Sequence, residues 1–262
     1  MTTRSYLFAP DDAASATTRL IATAARLTGF MKGAPGGYRP GWYLSGADNG
    51  AMLATLYNTI RLTYPAAGPG LWAVRMWTNL LWQPAYLAVI GVHVHGAVPP
   101  LAGLVQSARG IYVDGYRLPN APQWSGTVDE MIEHAAQELR QVCDIMLDEI
   151  NALVRLKPLP ARRLFADRML SLMVRLAHWR PDLPPSAIRA SSDAWLHALG
   201  LTGQGDLETV FLPDGREALI VARKGCCLDY RIDPGAYCAT CPKQDNAVRV
   251  ARQTANLIAE LG

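Results

Sequence analysis

Apolar positions recur at helical spacing over most of the chain. The clearest stripe spans residues 127–156, where Val128, Met131, Ile132, Ala135, Leu139, Val142, Cys143, Met146, Ile150 and Leu153 share one face. Thr127 and Glu130 stand at capping-box spacing ahead of it, and Pro158 and Pro160 close it. Residues 161–179 repeat the pattern through Leu164, Phe165, Met169, Leu172, Met173 and Leu176. Further helices are expected over 12–29, 49–64 and 246–261, with a short one over 192–199 that uses Gly200 as its C-terminal glycine. A helix carrying Trp72, Trp77 and Trp82 should end or kink near Pro84. Residues 31–41, rich in Gly and Pro, read as a loop.

After Gly205 the period shortens. Residues 208–212 and 217–223 are β-prone runs around a Pro213-Asp214-Gly215-Arg216 turn. The expected fold is therefore α+β and predominantly helical: a helical body, a small β-element, a C-terminal cysteine cluster and a final helix. Residues 1–205 would form the body, and 206–262 would form the hairpin, cysteine segment and helix, in one compact unit.

Composition narrows the class. Of 262 residues half are hydrophobic and 18% charged, enough for a sizeable core and incompatible with a disordered or collagen-like chain. A net charge of +3 is too slight to argue for a nucleic-acid surface. The N-terminus has Arg4 but then Asp11 and Asp12 in place of an apolar signal core, so a cytoplasmic, reducing setting is expected. Residues 76–108 lack charge, but Pro84, Pro99, Pro100, Asn79 and Gln83 interrupt them. They read as buried helices, with weak membrane-surface association as the second reading.

Four of the 5 cysteines fall in one short stretch, Cys226, Cys227, Cys238 and Cys241, with the pattern C-C-x10-C-x2-C. Local thiolates suit a soft metal centre, and Asp233-Pro234-Gly235 supplies a turn to bring the two pairs together. Neighbouring side chains diverge on an extended chain, a poor zinc hook but a reasonable way to wrap a two-iron cluster. Iron–sulfur, zinc and disulfide readings all stay open on spacing alone. Arg223, Lys224, Arg231 and Lys243 crowd the ligands, and Gly225 would let the backbone approach a sulfur. Cys143 lies on a helical stripe and reads as a core thiol. His93 and His95 would diverge on a helix and read as buried or pocket-lining.

The segment 223–230, Arg-Lys-Gly-Cys-Cys-Leu-Asp-Tyr, followed by Cys238-Ala239-Thr240-Cys241-Pro242, resembles the C-terminal signature of the FhuF-type ferric-siderophore reductases. The hairpin ahead of it is also family-like, and the likeness upstream is looser. The resemblance implies a [2Fe–2S] cluster held by Cys226, Cys227, Cys238 and Cys241. It further implies one-electron reduction of siderophore-bound Fe(III), favouring hydroxamate chelates, with a cytosolic electron donor and release of iron in the cytosol. Arg223, Lys224 and Arg231 would tune the potential and attract an anionic chelate or donor, with little effect on folding. Two alternatives compete: a zinc-stapled helical binding protein without redox activity, and an iron–sulfur electron carrier that never meets a siderophore. The chain departs from the family pattern in continuing as a helix beyond Cys241.

Overall fold

The computed structural model describes residues 13–234 and 236–261, so Asp11, Asp12 and the Gly235 of the expected turn lie outside them. Helix α1 (Ala13–Thr28) leads to two short strands, β1 (Gly33–Pro35) and β2 (Tyr43–Leu44), and then to α2 (Gly50–Thr63). Helix α3 (Gly68–Ile90) passes into a π-turn over Gly91–His95, and strands β3 (Val105–Arg109) and β4 (Tyr112–Leu118) follow. Helices α4 (Val128–Asn151), α5 (Pro158–Trp179) and α6 (Pro185–Ala198) complete the body. The hairpin β5 (Asp206–Phe211) and β6 (Glu217–Ala222) and helix α7 (Asn246–Leu261) end the chain. The architecture is α+β and predominantly helical, as the periodicity required.

Helix α3 is the axis of the body. Leu80, Leu81, Ala85, Leu87 and Ala88 are fully enclosed, packed among α2, α4 and α5. Each buried leucine contributes about 1.5–3 kcal/mol. The helix does not end at Pro84 but runs on to Ile90. Proline removes the N–H that would bond the Leu80 carbonyl, and the Gln106 side chain of β3 supplies the missing donor, its Nε2 lying 2.9 Å from Leu80 O. Gln106 also donates to Gln83 Oε1, and Gln83 donates to Gly115 O, so the proline turn is stitched to the sheet.

That sheet is the main departure from the pattern-based outline. Its strand order is β1-β4-β3-β2, with β1 parallel to β4 and the other pairs antiparallel. Part of it lies in the 31–41 stretch read as a loop. Two- and three-residue strands carry no period of their own, and they form here because β3 and β4 offer paired edges. The α4 capping box is present in full, with Glu130 N–H donating to Thr127 Oγ1 and Thr127 N–H to Glu130 Oε2. Helix α6 starts seven residues earlier than expected, at Pro185, and closes in a Schellman turn: Gly200 has φ +65°, and Leu201 N–H reaches Leu196 O at 2.7 Å.

Helix α7 fastens to the hairpin through polar groups. The buried Arg249 donates to Val221 O at 3.1 Å and pairs with Glu208 at 2.5 Å. Gln253 bonds both backbone groups of Val221. The cysteine segment is strung between these two elements.

Candidate metal centre

Strand β6 delivers the chain to Arg223, and from there the segment is held down by one carboxylate. Asp167, enclosed in the middle of α5, accepts from Gly225 N–H at 2.7 Å, Lys224 N–H at 3.1 Å and Arg223 Nε at 3.4 Å. Burial pushes the Asp167 carboxyl above the ordinary aspartate range, and Arg223 with the two backbone donors pulls against it. Sequence reasoning missed this residue. Its signal was a lone acid within the apolar stretch Phe165-Ala166-Asp167-Arg168-Met169-Leu170.

Gly225 is needed for that contact. A Cβ there would stand 2.8 Å from Asp167 Oδ2 and 2.9 Å from the Leu164 nitrogen. Two residues past Cys226, Leu228 has φ +63°, the sole left-handed non-glycine among the described residues. Such a conformation costs roughly 1–2 kcal/mol. It turns the chain sharply after the cysteine pair into a 3-10 turn over Asp229–Arg231, and Leu228 packs on the core.

The sulfurs of Cys227 and Cys238 lie 4.0 Å apart. Two thiolates bound to one tetrahedral metal at about 2.3 Å would stand roughly 3.8 Å apart, so this pair has chelating geometry. The C-x2-C turn is closed by Cys241 N–H donating to Cys238 O at 2.9 Å, and Gln244 donates to the same carbonyl. Cys241 is buried, whereas Cys226, Cys227 and Cys238 are partly exposed. Among the described residues no three cysteine, histidine or carboxylate side chains converge on one point.

The surroundings favour negative charge on one of these two sulfurs. The Cys238 thiol is pulled down to about 6 by the hydrogen bond from Cys227, assisted by the Thr240 hydroxyl and the Arg223 charge. The Cys227 thiol is pushed up as the partner that keeps the proton, with burial adding to the shift. Arg223 reaches Thr240 Oγ1 at 3.2 Å, so one guanidinium braces both ends of the segment. Its side chain is 16% exposed against a 2% exposed Asp167, which makes it a half-buried clamp of the segment, where a charge with little effect on folding was expected. Lys224 is exposed and donates to Gly203 O, Arg231 donates to Ala67 O, and Lys243 sits 4.9 Å over the Tyr230 ring.

The other candidates fall where the sequence placed them. Cys143 is enclosed in α4, its thiol pushed up by burial. His93 and His95 are buried in the π-turn, with His93 Nε2 accepting from Trp195 Nε1 at 2.9 Å and His95 bonding Gln123 at 2.9 Å. Trp77 is a core residue that donates to Ala161 O. Trp82 is half-exposed and has a second surface on a cavity.

That cavity, about 470 Å³, opens between α3, α5 and the β3–β4 hairpin. It abuts the cysteine segment through Arg75, which lines it and whose Nη2 lies 2.8 Å from Asp229 Oδ1. The Asp229 backbone N–H in turn favours the Cys227 thiolate. No solved structure matches the chain. Residues 223–243, which include all four clustered cysteines, match the family model of the FhuF 2Fe-2S C-terminal domain, and this stretch is a [2Fe–2S]-binding domain of the FhuF type.

Proposed function

We propose that the protein is a ferric-siderophore reductase in which Cys226, Cys227, Cys238 and Cys241 hold the cluster. The observation that carries this reading is the Arg75–Asp229 pair, which ties the wall of a ligand-sized cavity to the cysteine-bearing segment. When bound, the cluster supplies one electron at a time, enough to convert Fe(III) to the Fe(II) that a hard-oxygen chelate holds poorly. The chain's own residues divide the remaining work. Residues 1–205 dock the chelate, and residues 206–262 present the ligands. Thr240 and Arg223 favour the thiolate of Cys238, and Asp167 fixes the register of the segment on α5. Lys224 and Arg231 add positive charge at the surface, which favours an acidic electron donor in the cytosol. Among the described residues no helix is long and apolar enough to cross a membrane.

The test begins with iron and acid-labile sulfide analysis of anaerobically purified protein. The reduced protein is then mixed with a ferric siderophore in the presence of a ferrous-specific chromogenic chelator. Equimolar iron and sulfide with ferrous release support the reading. Bound zinc without sulfide would replace it with a stapled binding protein. A reducible cluster that leaves every ferric chelate untouched would replace it with an electron carrier.

A further inference from the structure

We infer that the cavity between α3, α5 and the β3–β4 hairpin takes an anionic chelate with aryl-oxygen, catecholate-type arms. This rests on the reductase reading and departs from the hydroxamate expectation. The lining carries four cations, Lys32, Arg75, Arg109 and Arg168, against one carboxylate, Asp114. Two of the cations are already oriented, Lys32 by Asp114 at 3.0 Å and Arg75 by Asp229 at 2.8 Å. Arg109 and Arg168 pair with no carboxylate among the described residues. Arg109 is exposed at the end of β3, whereas Arg168 is half-buried. Burial, with Arg223 and Arg175 nearby, works against the charge of Arg168 and Tyr86 offsets this in part, so an anion entering here would supply the carboxylate-like partner the guanidinium lacks.

The same lining carries aromatic rings. Phe30, Trp82 and Tyr86 pack mutually with ring centroids 5.7–5.8 Å apart, and Tyr112 completes the lining. Rings and guanidinium groups in one cavity suit electron-rich aryl arms, through edge and cation–π contacts. A ferric tris-hydroxamate is neutral or cationic with aliphatic arms and would use neither feature. A ferric tris-catecholate is trianionic and aromatic on every arm, and uses both. The volume lies within the usual span for small-ligand sites of about 300–1,000 Å³.

The test uses the full-length, cluster-loaded protein and redox-inert gallium(III) in place of iron. Binding of gallium tris-catecholate and of neutral gallium tris-acetohydroxamate is measured by calorimetry and by quenching of tryptophan fluorescence. The catecholate complex should bind about tenfold or more tightly than the hydroxamate, with the gap narrowing as salt rises. Arg168→Gln should weaken the catecholate about tenfold and Arg109→Gln severalfold, with hydroxamate binding unchanged. Arg109 is exposed, so its variant carries the test if Arg168→Gln fails to fold. Equal affinity for the two chelates overturns the proposal. So does unchanged catecholate binding in either variant once circular dichroism shows it native. Reduction of ferric hydroxamate by a protein indifferent to gallium catecholate would reject this inference and leave the reductase reading standing. Tight, arginine-dependent gallium catecholate binding without reduction of any ferric chelate would support the ligand class and reject the reductase.

Discussion

Gly225 of the cysteine segment and Asp167 of α5 meet with no room between them. The Gly225 N–H donates to Asp167 Oδ2 at 2.7 Å, and a methyl at residue 225 would press on that oxygen and on the helix backbone at Leu164. Helix backbone cannot yield cheaply. Gly225→Ala should therefore cost about 1–3 kcal/mol in denaturant unfolding and loosen the cluster, seen as faster bleaching under chelator challenge. Wild-type stability and bleaching in that variant would show that the contact is slack.

Arg223→Gln should destabilise the fold by about 2 kcal/mol or more, because it strips the cation from an enclosed carboxylate. Asp167→Asn in the same background should recover part of the loss, since the uncompensated charge is then gone. Urea titration of the two single variants and the double variant measures the coupling. A loss below about 0.5 kcal/mol for Arg223→Gln would place the residue among ordinary surface charges.

Serine at Cys226, Cys227, Cys238 or Cys241 should remove or destabilise the visible absorption, and Cys143→Ser should leave it intact. The first four lie on the segment matching the family model, and the fifth lies in the hydrophobic core. Loss of colour with Cys143→Ser, together with retention in one of the four, would overturn the ligand assignment.

Stability should fall on acidification from about pH 6.5 toward 4, and His93 accounts for a defined part of the loss. Burial, with the Arg180 charge adding to it, lowers its pKa to about 4, while the unfolded chain keeps the ordinary value near 6.5. Between those values the unfolded state binds the extra proton, so the stabilisation is complete above pH 6.5 and is lost as pH falls through 4. The difference amounts to about 3 kcal/mol. His93→Gln should flatten that part of the pH profile, and an unchanged slope would assign it to other groups.

A gallium siderophore should slow amide hydrogen exchange in two places at once, residues 68–90 and residues 226–241. The cavity wall and the cysteine segment are joined at Arg75 and Asp229. Protection limited to the last 60 residues would mean that the body takes no part in docking.

What the sequence reveals and what it hides follow from the range of the interactions. The α4 stripe, the hairpin turn and the C-C-x10-C-x2-C spacing are local, and each is visible in a window of about twenty residues or fewer. The continuity of α3 through Pro84 depends on Gln106, 22 positions further on, and no local pattern announces that rescue. The cavity draws Arg75, Arg109 and Arg168 from three separate elements and Lys32 from the loop ahead of β1, and each alone looks like an ordinary surface cation. The structural role of Arg223 is hidden for the same reason, since its partner lies 56 positions upstream.

Helix α7 grips β6 at Val221, one residue before the strand releases the cysteine segment, so the segment leaves and re-enters at nearly the same point. It is a loop latched by hydrogen bonds. The entropy of bringing its ends together is met by Arg249 and Gln253, and metal–sulfur bonds need not supply it. A cluster lost to oxygen or to a chelator would thus leave an open loop on fixed endpoints, ready to be refilled by local rearrangement while the rest of the chain stays folded.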